Sequence, residues 1–485
     1  MQLDESKTLR QEVSINKWRN NKGIGTLLLC PRFGKTRIGI EINNRIIQKN
    51  NNSKILILTP SEYIKRYWKS HFEKDIENTT ILSADEFINK ENLSDYYDLV
   101  IVDEVHKFLS EVRYEKLCIL REKSRFWLQL LGITPPEKGK GMIENLAPII
   151  DEITQQEAIK NNWIAPSIEY NLGLDFTKDD ELKYIRYSNI IREHLEIFKN
   201  SHKRLKFNNI EIFKSDFDVI YGCYTGKKLP HAFIEGKVFR EQLAKEMGWS
   251  LNLDLSTDYG RQRDLYWNPN KIYDNAKQFQ FIVKQRNELM GNNDIKLKTI
   301  VDIVNKYNIP TIVFSESIDF VTKVADTLGS NAIAYHSNIE SRPIWDFDNN
   351  DWFRYKSGEK KGEIKKFGKD SIKKETIEGM ISGKYKYLIT AKALDEGLTI
   401  PNLELVIIAF GSTNPIQQGQ RSARGSTIDI NNKFKQTKIF NLYFKDIITI
   451  SDSGDIKFIN SRDKQKLHER QTTKAIELIN LDEIS

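Results

Sequence analysis

The sequence predicts an α/β fold of two parallel-sheet lobes with a mainly helical region between them, on three observations. Short apolar runs alternate with helical patterns over residues 26–134, the same rhythm returns over 311–444, and between them the alternation gives way to helical stretches and loops in which Lys, Arg and aromatics stand side by side. A chain of 485 residues is also longer than one hydrophobic core usually serves. The expected units are therefore a first lobe at 1–176, a helical insertion or linker at 177–290, a second lobe at 291–449 and a C-terminal tail at 450–485.

In the first lobe the strand runs are Thr26–Cys30, Lys54–Thr59, Thr79–Ser83, Leu99–Val102 and Trp127–Thr134. In the second they are Thr311–Ser315, Ala332–His336, Tyr385–Thr390, Leu403–Phe410 and Thr437–Phe444. The tail is charged and closes on a short amphipathic pattern, which fits a docking helix or a frayed end, and the frayed end is the expectation.

Hydrophobic residues at 39% and charged residues at 29%, with no bilayer-length apolar run and no apolar N-terminal signal, predict a soluble chain of the cytoplasm. Cys30, Cys118 and Cys223 lie far apart and match neither a zinc spacing nor a disulfide framework. A net charge of +7 leans toward polyanionic partners without selecting one.

The chemistry begins at Leu27-Leu28-Leu29, which runs into Cys30-Pro31-Arg32-Phe33-Gly34-Lys35-Thr36 and then a helical pattern carrying Ile38, Ile42 and Ile46 on one face. Strand, tight loop and helix start make a phosphate site. Backbone N–H groups, here of Arg32, Phe33 and Gly34, and the helix end hold phosphate oxygens; Lys35 neutralises the charge and the Thr36 hydroxyl ligates Mg2+. The first glycine of the general pattern is missing, so a chance tripeptide at a helix start stays open for this segment taken alone.

Farther on, the buried-strand run Leu99-Val100-Ile101-Val102 delivers Asp103-Glu104-Val105-His106 at its C-terminal end, where parallel sheets place ligand chemistry. Asp103 there can hold Mg2+ while Glu104 orients and deprotonates an attacking water. An exposed acidic helix cap is the plain alternative for Asp-Glu alone. The preceding Lys35 loop and the sheet pattern between them favour the catalytic reading.

These residues resemble the DEAD/DEAH-type (DExH) helicases of superfamily 2, especially shorter phage and viral members with a Pro-Arg-x-Gly-Lys-Thr loop. The resemblance implies two RecA-like lobes, ATP and Mg2+ as cofactors, and a nucleotide site that includes Gln11 of Arg10-Gln11 as the adenine-reading glutamine and His106 of the DExH box. Thr59-Pro60 and Ser83-Ala84 are similar to motifs Ia and Ib, although a surface turn explains either nearly as well. Of motif III only Thr134 survives in Gly132-Ile133-Thr134-Pro135-Pro136. Ile312-Val313-Phe314-Ser315 resembles motif IV. Tyr387–Pro401, with Thr390, Asp395, Glu396 and Gly397, resembles motif V, with Thr399 in place of its aspartate. Gln417-Gln418-Gly419-Gln420-Arg421-Ser422-Ala423-Arg424 looks like motif VI, with Gln420 for its glycine. Two arginines three apart on one helix face can reach a γ-phosphate, so Arg421 and Arg424 are the finger candidates.

The resemblance further implies a nucleic-acid track gripped mainly through its backbone, DNA rather than RNA, no membrane, and a monomer. The expected function is an ATP-dependent DNA helicase or translocase in phage-type replication, recombination or repair. A double-strand translocase without strand separation, or a nucleotide-gated assembly protein with little turnover, remains open. Two basic, aromatic-bearing stretches, 341–374 and 261–286, are candidate accessory contacts or solvated loops.

Overall fold

The computed structural model describes residues 5–72, 78–91, 93–94, 96–202, 206–207, 210–211, 256–257, 269–336, 338, 342–346, 351–356, 360–391, 400, 402–428, 435–450, 456–471 and 474–483. Two parallel sheets dominate them. The first has the strand order Thr79–Ser83, Ile55–Thr59, Tyr97–Asp103, Ser124–Leu131, Ile24–Leu29, Ile149–Ile153, with every pair parallel. Its central runs Ile55–Leu58 and Leu99–Val102 read as unbroken Leu, Ile and Val because helices cover both faces, so side chains on either side of the pleat are buried. Trp18, Ile38, Ile42 and Trp68 lie in the cluster on one face, while Phe87, Phe108, Leu117 and Ile143 lie in that on the other.

The second sheet has seven strands in the order Ala332–His336, Tyr387–Ala391, Thr311–Ser315, Leu405–Ile408, Thr437–Phe444, Ser167–Leu174, Ile476–Leu478. The two-lobe α/β reading of the sequence is met, and the differences lie at its seams. Strand Ser167–Leu174, inside the stretch assigned to the first lobe, joins the second sheet. Its composition gives no hint of this, since an Asn- and Glu-bearing strand suits either sheet. The expected run Trp127–Thr134 leaves the sheet after Leu131.

The tail departs from the frayed end. Ile447–Ile450 pairs with Ile456–Ile459 as a hairpin, Arg462–Arg470 is a helix with Leu467 fully buried, and Ile476–Leu478 pairs in parallel with Ser167–Leu174. Buried anchors hold it, which a charge-rich composition conceals.

The chain divides into two compact units. Both large sheets fall in the first. The second comprises 174–296 and 444–463, whose described part rests on helices Lys178–His202 and Pro269–Gly291. Its interior pairs Lys296 with Asp463 at 2.5 Å, both side chains fully buried. Phe176 stacks on Phe444 beside them, and the Tyr184 hydroxyl donates to the Asn460 carbonyl at 3.1 Å. Cys223, Arg261, Arg263 and Trp267 lie outside the described residues.

Candidate active site

Strand Ile24–Leu29 leads through a turn into helix Lys35–Lys49, and one strand separates it from Tyr97–Asp103. The parallel arrangement brings both C-terminal ends to one edge of the sheet. In the turn, the Phe33 N–H donates to the Cys30 carbonyl at 3.2 Å. Gly34 caps the helix at φ 108°, ψ 37°, backbone that only glycine adopts without strain, and a Cβ there would come within 2.5 Å of Gln11 Nε2. No side chain caps this helix, which leaves its first-turn N–H groups for an anion.

Gln11, expected to read adenine, is buried and donates its amide to the Phe33 carbonyl at 2.8 Å, so it braces the turn from helix Glu5–Asn20. Lys7 on the same helix donates to the carbonyls of Arg32 (3.0 Å) and Trp163 (2.8 Å). Helix and sheet are fastened by Asp151, which takes a bidentate pair from Arg10 at 2.7 and 2.9 Å, with Ser14 and Lys17 also donating. Phe33, expected among the nucleotide-binding residues, has its ring fully buried, edge-on to Trp163, and its N–H donates to the Cys30 carbonyl. It supports the turn from below.

Across the edge, Lys35 Nζ and Glu104 Oε1 pair at 2.5 Å, both largely buried. Burial by itself would raise the Glu104 carboxyl. The Lys35 charge and its hydrogen bond, assisted by Lys107, more than reverse this and hold it below the usual range. Asp103 goes the other way, pushed up by burial and then by the Glu104 charge, while Trp68 donates its indole N–H to Oδ2 at 2.9 Å. Glu104 stands at φ 49°, in the left-handed region uncommon for a residue with a side chain. His106, with Nδ1 3.4 Å from Glu104 Oε2, is driven down to about 4, first by burial, which leaves a neutral imidazole behind the acid. Gly132 completes the corner: a Cβ there would collide with Lys35 Nζ and lie 3.5 Å from Glu104 Oε1. The glycine at this position thus makes room for the lysine.

The oxygen donors Asp103 and Thr36 suit Mg2+, a hard cation that shares its shell with nucleotide phosphates and needs only one or two protein oxygens. Asp103 is 4% exposed and has one oxygen already oriented by Trp68, as a metal-holding carboxylate requires.

In the second lobe, Asn414 caps helix Pro415–Ser422 by accepting from the Ile416 N–H, and Gln417 accepts from the Ser412 hydroxyl. Arg421 is 1% exposed, its guanidinium 5.3 Å over the Phe314 ring, and Arg424 is buried just past the helix. This helix meets the first lobe twice. Arg32 Nε donates to the Ala423 carbonyl at 3.4 Å, and Gly419 lies so close to Ile133 that a Cβ would come within 2.6 Å of Ile133 Cδ1. Gly397, with Asp395, Glu396 and Thr399, lies outside the described residues. Ser83 serves as a helix cap in a reciprocal pair with Glu86, which fits the surface-turn reading of that segment. Nothing local in the sequence marks Trp68 or Asp151. Each lies far along the chain from the residue it serves.

Residues 295–426 match the helicase conserved C-terminal domain. That segment runs from the start of the second lobe through the arginine helix. Among solved structures, the crystal structure of the Pyrococcus furiosus Hef helicase domain is similar over 95% of this chain and 98% of that one, at 15% identity and a TM-score of 0.48. No curated protein matches. No helix among the described residues is long and apolar enough to cross a membrane.

Proposed function

We propose that the chain is an ATP-driven motor on nucleic acid, a superfamily 2 helicase or translocase with DNA as its track, serving phage-type replication, recombination or repair. The observation that carries this reading is the Lys35–Glu104 pair at the shared strand edge, beside an uncapped helix start and a buried, oriented Asp103. The helicase C-terminal domain match over 295–426 supports it.

In this reading the nucleotide phosphates enter the turn and replace Glu104 as the partner of the Lys35 ammonium. The carboxylate so released is free to orient water and accept its proton. Asp103 and Thr36 would hold Mg2+, whose charge would offset that of the phosphates. Arg424 adds charge from the second lobe, while Arg421 anchors the helix on Phe314. Because helix Pro415–Ser422 contacts both the phosphate turn, through Arg32, and the 132–134 segment, through Ile133, events at the nucleotide bear on how the two sheets meet.

The second lobe also carries a small β insertion between Ala332–His336 and Tyr387–Ala391. Arg342–Pro343 pairs there with Lys366–Phe367, and Arg354 bridges to Ile364. Lys356, Lys360, Lys361 and Lys366 are exposed on it, with Phe353 beside them, a combination suited to phosphate and base.

The test is ATP hydrolysis by the purified chain, alone and with single-stranded DNA, duplex DNA or RNA, at two salt concentrations. Stimulation by one polymer names the track, and strand displacement then separates a helicase from a translocase. Intact ATP binding with no turnover under any condition would overturn the motor in favour of a nucleotide-gated clamp.

A further inference from the structure

Beyond the phosphate turn, a chain of side-chain hydrogen bonds, buried from the arginine helix to Asn171 and part-buried beyond it, runs through the second sheet to its far edge. Gln418, 4% exposed, donates to Asn441 Oδ1 at 2.9 Å on strand Thr437–Phe444 and to Glu169 Oε1 at 3.3 Å on strand Ser167–Leu174. Asn441 donates in turn to Glu169 at 2.7 Å and to Asn171 Oδ1 at 3.0 Å. Asn171 donates to Gln471 Oε1 at 3.0 Å and to Glu477 Oε1 at 2.6 Å, and Glu477 is on the edge strand Ile476–Leu478. The Tyr443 hydroxyl closes the far end on Glu477 Oε2 at 3.1 Å.

Parallel strands buried on both faces are ordinarily apolar throughout. A row of amides and carboxylates inside one costs desolvation, which its hydrogen bonds must offset, and nearly satisfied polar networks fix one arrangement of the groups they join. Here the joined groups are the helix bearing Arg421 and Arg424 and the last strand of the chain. Gln418 sits three residues before Arg421, so the network acts on the helix one turn from the first arginine.

We propose that Glu169 and Asn441 are positioning residues for the arginine helix, acting through Gln418, and that Asn171, Gln471 and Glu477 extend this hold to the C-terminal edge strand. The C-terminal segment thereby sets the placement of the arginines. The catalytic consequence rests on the motor reading above, while the mechanical coupling does not.

The experiment uses the full chain and the variants Glu169→Gln, Asn171→Ala and Glu477→Gln, with hydrogen–deuterium exchange followed by peptide. Faster exchange over 415–424 in Glu477→Gln, with Thr79–Ser83 unchanged as an internal reference, is the expected result. Exchange that rises only over 471–478 would overturn the coupling. Steady-state kinetics supply the second arm. Glu169→Gln should lower kcat roughly tenfold at nearly constant KM for ATP, and should add little to Arg424→Ala. Losses that simply multiply in the double variant would sink the positioning role. A wild type without turnover would defeat the motor reading, and the exchange arm would still decide the coupling.

Discussion

Trp68 donates its indole N–H to Asp103 Oδ2 at 2.9 Å, with both side chains buried. Trp68→Phe keeps the ring in the core and removes the donor, leaving a carboxylate oxygen unsatisfied. A hydrogen bond to a charged group is worth about 1.5–3 kcal/mol. The expected outcome is a higher Mg2+ concentration for half-maximal ATP hydrolysis, read by magnesium titration at saturating ATP. An unchanged titration would remove Trp68 from the site.

Lys35→Ala and Glu104→Gln should each abolish steady-state ATP hydrolysis, for different reasons. Lys35→Ala removes the charge that meets phosphate and strands Glu104, whose carboxyl burial then pushes up. Glu104→Gln keeps its shape and loses the proton acceptor. Nucleotide binding measured with a fluorescent ATP analogue should fall in the first and survive in the second, and near-normal turnover in either would defeat the assignment.

Arg421 and Arg424 should separate experimentally. Arg424→Ala is expected to spare ATP affinity and cut turnover on the order of 10³-fold, as loss of an arginine finger does. Arg421→Ala removes a guanidinium packed on Phe314 and should in addition destabilise the fold by about 1–3 kcal/mol, visible as a lower midpoint in denaturant. Equal stability in the two variants would argue against the anchor.

Asp151 gives the stability a pH signature. Burial alone would raise its carboxyl, but hydrogen bonds from Arg10, Lys17 and Ser14 together bring it below the ordinary value. A carboxylate depressed in the folded state contributes stability that is present above its unfolded pKa, about 3.9, and lost as pH falls through the folded value. Melting temperature followed from pH 7 to pH 2.5 should therefore drop more steeply in the wild type than in Asp151→Asn, which starts lower. Parallel curves would show that the pair carries no linkage.

Replacing Lys360, Lys361 and Lys366 by Glu should weaken nucleic-acid binding and flatten its dependence on salt, measured by fluorescence anisotropy across a salt series. ATP affinity in the absence of nucleic acid should stay the same. A salt slope identical to that of the wild type would make the insertion a solvated loop.

The meeting of Lys35, Asp103 and Glu104 at one sheet edge was readable from local pattern. A strand feeding a loop with Gly-Lys-Thr, and a second strand ending in Asp-Glu, carry their geometry within a few residues, because parallel strands end together. Residues that act across the fold had no such signal. Asp151 serves Arg10 and Trp68 serves Asp103, and each is an ordinary residue in its own stretch of sequence. The strand Ser167–Leu174 was hidden for the same reason, since hydrophobic period reveals a strand without revealing its neighbours. The tail misled through composition: its buried Asp463, Leu467 and Arg470 are too few to outweigh the charges around them.

That strand carries a consequence for biosynthesis. Both of its neighbours, Thr437–Phe444 and Ile476–Leu478, follow it by about 260 residues or more. At roughly 5–20 residues per second, a ribosome leaves the strand without a partner on either side for on the order of ten to fifty seconds. Its Glu169, Asn171 and the polar backbone around them must stay hydrated through that interval, and an Asn- and Glu-bearing strand is less prone to join a stranger than an all-aliphatic one such as Leu405–Ile408. The amides that later lock the sheet thus also serve as its protection while the chain is incomplete.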